Sequence, residues 1–275
     1  MIDLPNGGVS NARNIGIKKC HGDKIFFWDS DDVIELDAVE KCLKYSDEHK
    51  VNSVIYGYSS RNNGVNGIPH KSKLNGDYRE KDIREKVLPC FIGHSFQDIN
   101  LWIANKQGLR EGKENNALWH VMCDASTIRK NNIYFDTNLS LGEDTRFINE
   151  YLLYEQSIGY LEDCLYHLTH RESGANMQSI MNIHKRLQDK IKLIYVRQKI
   201  DKLALNLYGI NTHHYWEGTM VLSAIEMALC LAKDSGERKL NITAYREFMK
   251  IDLVHNACVD FLPTGGGKIV TIQNS

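Results

Sequence analysis

Between Lys24 and Asp32 the chain reads K-I-F-F-W-D-S-D-D, an apolar run that ends in three carboxylates, Asp29, Asp31 and Asp32, within four residues. Acids packed so closely repel one another unless a cation or a donor-rich group lies between them. Hard cations such as Mg²⁺ and Mn²⁺ bind through one or two carboxylates plus the phosphates of a substrate, so the cluster suggests a divalent metal and a phosphorylated ligand. Helix capping would account for one or two of the acids but not for all three. A second acidic site, L-G-E-D-T-R-F, carries Glu143 and Asp144. Asp144 could cap the helix it opens, or serve as a general base, a task that needs a carboxylate held within hydrogen-bond reach of a hydroxyl. A third candidate is Arg13 in N-G-G-V-S-N-A-R-N. A cation in the first turn of a short helix opposes the dipole, which points to a specific partner such as the acidic cluster or a phosphate; a solvated arginine is the alternative.

These groups need a frame. Ser10 is expected to cap a helix that ends before Gly22, and the acidic strand follows. Leu36, Val39 and Leu43 then recur at helical spacing, placing a strand–turn–helix junction at the acids; in open α/β sheets ligands bind at such carboxyl ends of strands. V-N-S-V-I-Y-G-Y alternates as a strand should, and 59–75, rich in Asn, Gly and Ser, reads as a long loop. Short helices are expected around Ile83 and Ile99, a strand over A-L-W-H-V-M-C, and a partly extended segment at I-Y-F-D-T-N-L. The helix opened by Glu143 and Asp144 presents Phe147, Ile148, Tyr151 and Leu152 on one face, and S-I-G-Y-L-E-D-C-L-Y-H-L reads as another strand. After Gly174 the pattern turns helical, with periodic segments over 180–194, 215–232 and 243–253. The division is therefore 1–173, an α/β body, and 174–275, a helical region.

Composition narrows the class. In 275 residues, 34 basic side chains face 35 acidic ones, so nothing argues for a nucleic-acid surface or an acidic tail. Seven scattered cysteines without a C-x-x-C pair read as reduced thiols. The first residues lack the charged and apolar regions of a signal peptide, and the most apolar window, Met220 to Ala232, is too short to span a bilayer. A cytoplasmic protein is expected, at most peripheral to the inner face of a membrane. T-H-H-Y-W near residue 214 reads as a helix start with one buried ring rather than a binding patch.

In order, N-G-G-V-S-N-A-R-N-I-G-I, G-D-K-I-F-F-W-D-S-D-D and L-G-E-D-T-R-F resemble the family-two inverting glycosyltransferases of the GT-A fold. A-L-W-H-V-M-C-D-A-S-T-I-R-K-N-N-I-Y-F-D resembles the stretch that this family places before its last motif. The resemblance covers about residues 6–173. It implies a Rossmann-like mixed sheet and transfer of a sugar from a nucleotide sugar to a hydroxyl of a glycan or lipid-linked glycan, as in bacterial surface polysaccharide synthesis. Asp31 would hold Mg²⁺ or Mn²⁺ on the donor diphosphate, Asp29 would contact the nucleotide, and Asp32 and Arg13 would order that side. Asp144 would be the base, with Glu143 and Trp119 on the acceptor side. His167, His170 and Arg171 would supply a supporting metal or phosphate contact. The C-terminal helices could brace the acceptor, form a homodimer interface or touch a membrane.

One departure stands out. The family begins with strands that grip the nucleotide base, whereas five residues precede Asn6 here. At about thirty residues per strand–helix–strand unit, roughly sixty to ninety residues of that half are expected to be missing. The competing expectation is thus a truncated, inactive relative acting as a binding or interaction module.

Overall fold

The computed structural model describes residues 6–62, 64–70, 72–139, 141–169, 183–233 and 238–264. Its centre is a mixed sheet. β3 (Ser53–Asn62) and β7 (Ser157–Thr169) lie side by side in parallel, Ser53 opposite Ile158 and Ser59 opposite His167. β6 (Val121–Asp124) pairs antiparallel with β3, and β1 (Lys24–Ile25) with β6. β2 (Val33–Ile34) pairs antiparallel with the far side of β7, giving the order β1-β6-β3-β7-β2. β4 (Val65–Pro69) folds back on β3, and β5 (Gly76–Arg79) lies on β7. The middle strands are buried on both faces, as the pattern of Val54, Ile55 and Tyr56 shows, each at most 1% exposed. Burial on both faces is what forces such strands to be continuously apolar.

Helices cover the two faces unequally. On one side α2 (Ala38–His49) packs against β3 and β7 over Cys42, Tyr56, Trp119 and Tyr166. On the other, a single apolar cluster takes in α1 (Gly8–Lys19), a π-turn at Ile83–Val87 that runs into α3 (Leu88–Ile92), α4 (Phe96–Ile103), α5 (Ala125–Lys130) and α6 (Glu143–Tyr154). The same cluster continues into α7 (Ile183–Tyr208), α8 (Glu217–Lys233), α9 (Arg238–Met249) and α10 (Asp252–Thr264). The C-terminal helices therefore share a core with the sheet: α7 lies on α6 and α8 on α4. None of the described helices is long and apolar enough to cross a membrane.

The structure corrects several expectations. Leu36, Val39 and Leu43 face solvent, at 106%, 41% and 40% exposure, and α2 buries Ala38, Cys42 and Ser46 instead. The small side chains let the helix lie close to the sheet, and tertiary packing overrides the apolar periodicity. The 59–75 segment is no loop throughout: β3 runs on to Asn62 and turns at Gly64 into β4, whose residues are all exposed. Ser10 does not cap α1; it is buried in the first turn, the third residue after the Gly7 N-cap, and Arg13 sits in the middle of the helix. Among the described residues the C-terminal region holds four α-helices, against the three periodic segments expected. All seven cysteines are free. Trp216 is fully buried, its indole N–H bonded to Asp201, as a helix start with one buried ring requires.

Candidate active site

Three phenylalanines far apart in the chain meet beneath the predicted site. The Phe27 ring stands edge-on to Phe135 and Phe147, each with centroids 5.4 Å away, and Phe135 stacks on Phe147 at 4.3 Å. On a helix residues i and i+3 share a face; the apolar run before the acids, expected as a strand, is one only at Lys24–Ile25 and continues through Phe27 without regular pairing. Asp29 follows Phe27 by two, and Asp144 precedes Phe147 by three. Burying the rings together therefore carries both carboxylates to one place. Gly142 makes the approach to α6 feasible: it caps the helix at φ 88, and a Cβ there would lie 2.5 Å from Leu193. Glycine adopts that left-handed backbone without the steric cost that a Cβ brings.

Arg13 closes the arrangement. Its neighbour Asn14 exchanges two hydrogen bonds with the Phe135 backbone, donating at 2.9 Å and accepting at 2.8 Å. This sets the guanidinium over the Phe135 ring, 5.2 Å from its centroid, a cation–π placement. From there Nη1 donates to Asp144 Oδ1 at 2.5 Å and Nη2 to Asp29 Oδ1 at 3.1 Å. One arginine thus bridges the two acidic motifs. Burial pushes the Asp144 carboxyl up to about 6; Arg13 opposes the rise, while the charges of Glu143 and Asp29 add to it. Asp144 caps nothing, since the cap is Gly142 and makes no side-chain bond.

The rest of the acidic loop is tied to β7. Asp32 accepts from the Tyr166 hydroxyl at 2.6 Å and from the Thr169 backbone N–H at 2.7 Å. The same hydroxyl accepts from Asp29 N–H at 3.3 Å. Neither Asp31 nor Asp32 caps α2, which starts at Ala38 after Asp37. Asp31 is exposed, and the Asp29 side chain is 40% exposed. Trp119 is 3% exposed and lies under the loop, stacked on Tyr166 at 4.8 Å. Buried there, it supports the wall and has little surface to offer an acceptor. Glu143 is half-buried beside Asp144. His167 is engaged at both ring nitrogens, 2.8 Å from Ser59 Oγ and 2.8 Å from Glu35 Oε1, so it faces the sheet and not the loop's open side. His170 and Arg171 lie outside the described residues.

Sequence reasoning missed Tyr166, Phe135 and Asn14. A tyrosine in a strand reads as core, and its partner Asp32 is 134 residues away. Among the described residues no three His, Cys, Asp or Glu side chains are grouped to hold a metal ion unaided. A hard cation can be held by one or two carboxylates and completed by phosphate oxygens; in this loop Asp31 is exposed and the Asp29 side chain is 40% exposed.

Comparisons with known proteins agree with this frame. Residues 1–98 match glycosyl transferase family 2. The chain is 26% identical over 253 residues to the minor teichoic acid biosynthesis protein GgaB of Bacillus subtilis, covering 90% of this chain and 24% of that protein. It is 27% identical over 229 residues to chondroitin synthase of Pasteurella multocida, covering 77% and 23% respectively. The chain thus spans about a quarter of the length of these relatives. Among solved structures, the S. aureus TarS 1–349 complex with UDP-GlcNAc superposes with a TM-score of 0.54 at 14% identity, over 96% of this chain and 72% of that one. This establishes a shared α/β fold.

Proposed function

We propose that this chain, which belongs to the family 2 glycosyltransferases, moves a sugar from a nucleotide sugar to a hydroxyl of a growing surface glycan with inversion at the anomeric carbon. The observation that carries the reading is the Arg13 bridge, which sets Asp29 and Asp144 on either side of one guanidinium. Two acidic stations are what the reaction requires: one facing the leaving diphosphate, the other facing the incoming oxygen.

On the donor side Asp31 would hold Mg²⁺ or Mn²⁺ with the phosphates, and Asp29 would meet the nucleotide. When bound, the cation offsets the negative charge that grows on the leaving diphosphate. On the acceptor side Asp144 takes the hydroxyl proton. Its Oδ1 is fixed by Arg13, and Oδ2 carries neither of these bonds. With a carboxyl near 6, the group is mostly ionised at neutral pH yet basic enough to accept a proton, the compromise that general-base catalysis favours. A base and a leaving group on opposite sides of the sugar give a single in-line displacement, hence inversion. The relatives named as a minor teichoic acid biosynthesis protein, a chondroitin synthase and a poly(ribitol-phosphate) beta-N-acetylglucosaminyltransferase support a polymer acceptor.

The test uses Mn²⁺, a panel of nucleotide sugars and the Asp144→Asn variant. Transfer should fall about 10²–10⁴-fold while donor binding stays within a few-fold. Full turnover in the variant would remove Asp144 as the base. An absence of both binding and turnover in the unaltered chain would favour an inactive interaction module.

A further inference from the structure

We propose that Tyr166 is a positioning residue that locks the acidic loop, and that Asp32 is the anchor of this loop rather than a metal ligand. The functional half of this proposal rests on the sugar-transfer reading above; the structural half does not.

Tyr166 is fully buried on β7, its ring lying flat against Trp119 with an interplanar angle of 5°. Its hydroxyl touches both ends of the loop, accepting from the Asp29 N–H and donating to Asp32 Oδ2. The Thr169 N–H takes Asp32 Oδ1. Both oxygens of Asp32 are therefore committed to one strand, in directions set by β7, and the carboxylate cannot swing toward a cation without breaking two charge-assisted bonds. A parallel connection fixes the residue just before the loop: Trp28 Nε1 donates to the Tyr56 hydroxyl at 2.9 Å, which donates to the Trp119 carbonyl at 2.5 Å. Entry, start and end of the loop are thus fastened to the same aromatic wall, while Asp31 stands exposed between the fastenings. The loop is shaped before any donor arrives, so binding need not pay to order it.

The experiment compares Tyr166→Phe, Asp32→Asn, their double variant and Asp31→Asn. Amide hydrogen exchange at Asp29 and Thr169 reads the lock directly and needs no ligand. Binding of Mn²⁺ alone, followed by electron paramagnetic resonance, reads the cation site. Donor KM and kcat, where turnover is measurable, separate positioning from chemistry. Loss of Tyr166 Oη should speed exchange at the Asp29 amide about tenfold or more. The two changes should be less than additive, because both remove the Tyr166–Asp32 bond, while Tyr166→Phe alone also removes the acceptor of the Asp29 N–H. Tyr166→Phe and Asp32→Asn should each weaken Mn²⁺ partially, raise donor KM with kcat largely kept, and leave the complete loss to Asp31→Asn.

The proposal is overturned if Asp32→Asn loses Mn²⁺ as completely as Asp31→Asn while Tyr166→Phe changes neither exchange nor binding. Should Tyr166→Phe fail to fold, the double variant compared with Asp32→Asn still reads the lock at the Asp29 amide, whose acceptor only the tyrosine change removes. If the unaltered chain binds no Mn²⁺, the sugar-transfer reading is the one that suffers, and the exchange rates still decide the lock.

Discussion

Replacing Arg13 by Gln separates what the guanidinium does for Asp144 from what burial does. Arg13 and Asp144 touch at 2.5 Å, with side chains 14% and 23% exposed. Unit charges about 4 Å apart at an effective dielectric near 20 interact by about 4 kcal/mol, an upper figure once solvent screening is counted. An opposite charge at such range commonly lowers a carboxyl by about 1–3 units. Asp144 already stands at about 6 with the arginine in place, so its removal should lift the carboxyl by roughly two further units. At pH 7 the ionised fraction would fall from roughly nine-tenths to roughly one-tenth.

Two measurements follow the shift. The ¹³C carboxyl resonance of Asp144, titrated in both proteins, gives it without turnover. The acid limb of kcat/KM, which rises as the base ionises, should move from about 6 to higher pH by the same interval. Stability offers a third check. The folded carboxyl lies above its ordinary 3.8, so its protonation favours the fold; that benefit is complete below about 3.8 and is lost as pH rises through about 6. In Arg13→Gln the loss should extend to higher pH, leaving the variant weaker than its parent mainly above neutrality. A resonance that still titrates near 6 in the variant would refute the electrostatic account of the bridge.

Phe147→Ala should cost about 3–5 kcal/mol, because its fully buried ring packs on Phe27 and Phe135; thermal unfolding measures it, and a loss under 1 kcal/mol would contradict the anchoring role. Leu36→Glu should change stability by no more than about 0.5 kcal/mol, since Leu36 is fully exposed; a large drop in the unfolding midpoint would mean that the side chain packs after all. Ser95→Ala should cost about 1 kcal/mol by opening the capping box in which Ser95 and Asp98 bond each other's backbone, read by denaturant titration. Chelation with EDTA should abolish transfer and be reversed by Mn²⁺ or Mg²⁺; undiminished turnover would argue against Asp31 as a cation ligand.

What the sequence made legible was whatever local pattern decides. The face of α6 was readable because Phe147, Ile148, Tyr151 and Leu152 recur at its period and all are fully buried. β3 was readable from the alternation of V-N-S-V-I-Y-G-Y and β7 from S-I-G-Y-L-E-D-C-L-Y-H-L, and the acidic motifs from their clustered carboxylates. Long-range choices were not. Which side of α2 meets the sheet depends on how near β3 and β7 come, and there Ala38, Cys42 and Ser46 displaced the larger Leu36, Val39 and Leu43. β4 left no alternation because both of its faces are wet. The bond of Asp32 to Tyr166 joins a loop to a strand 134 residues on, and no pattern in either segment announces it.

The phenylalanine triangle has a consequence for how such a scaffold can change. The ruler that sets the gap between the two acids is made of three buried oily side chains. Exposed residues away from the triangle, such as those of β4, can therefore be exchanged while that spacing stays as it is. Drift within the triangle works the other way: one shortened ring would shift the two acids from below, though every polar group around them remained in the sequence.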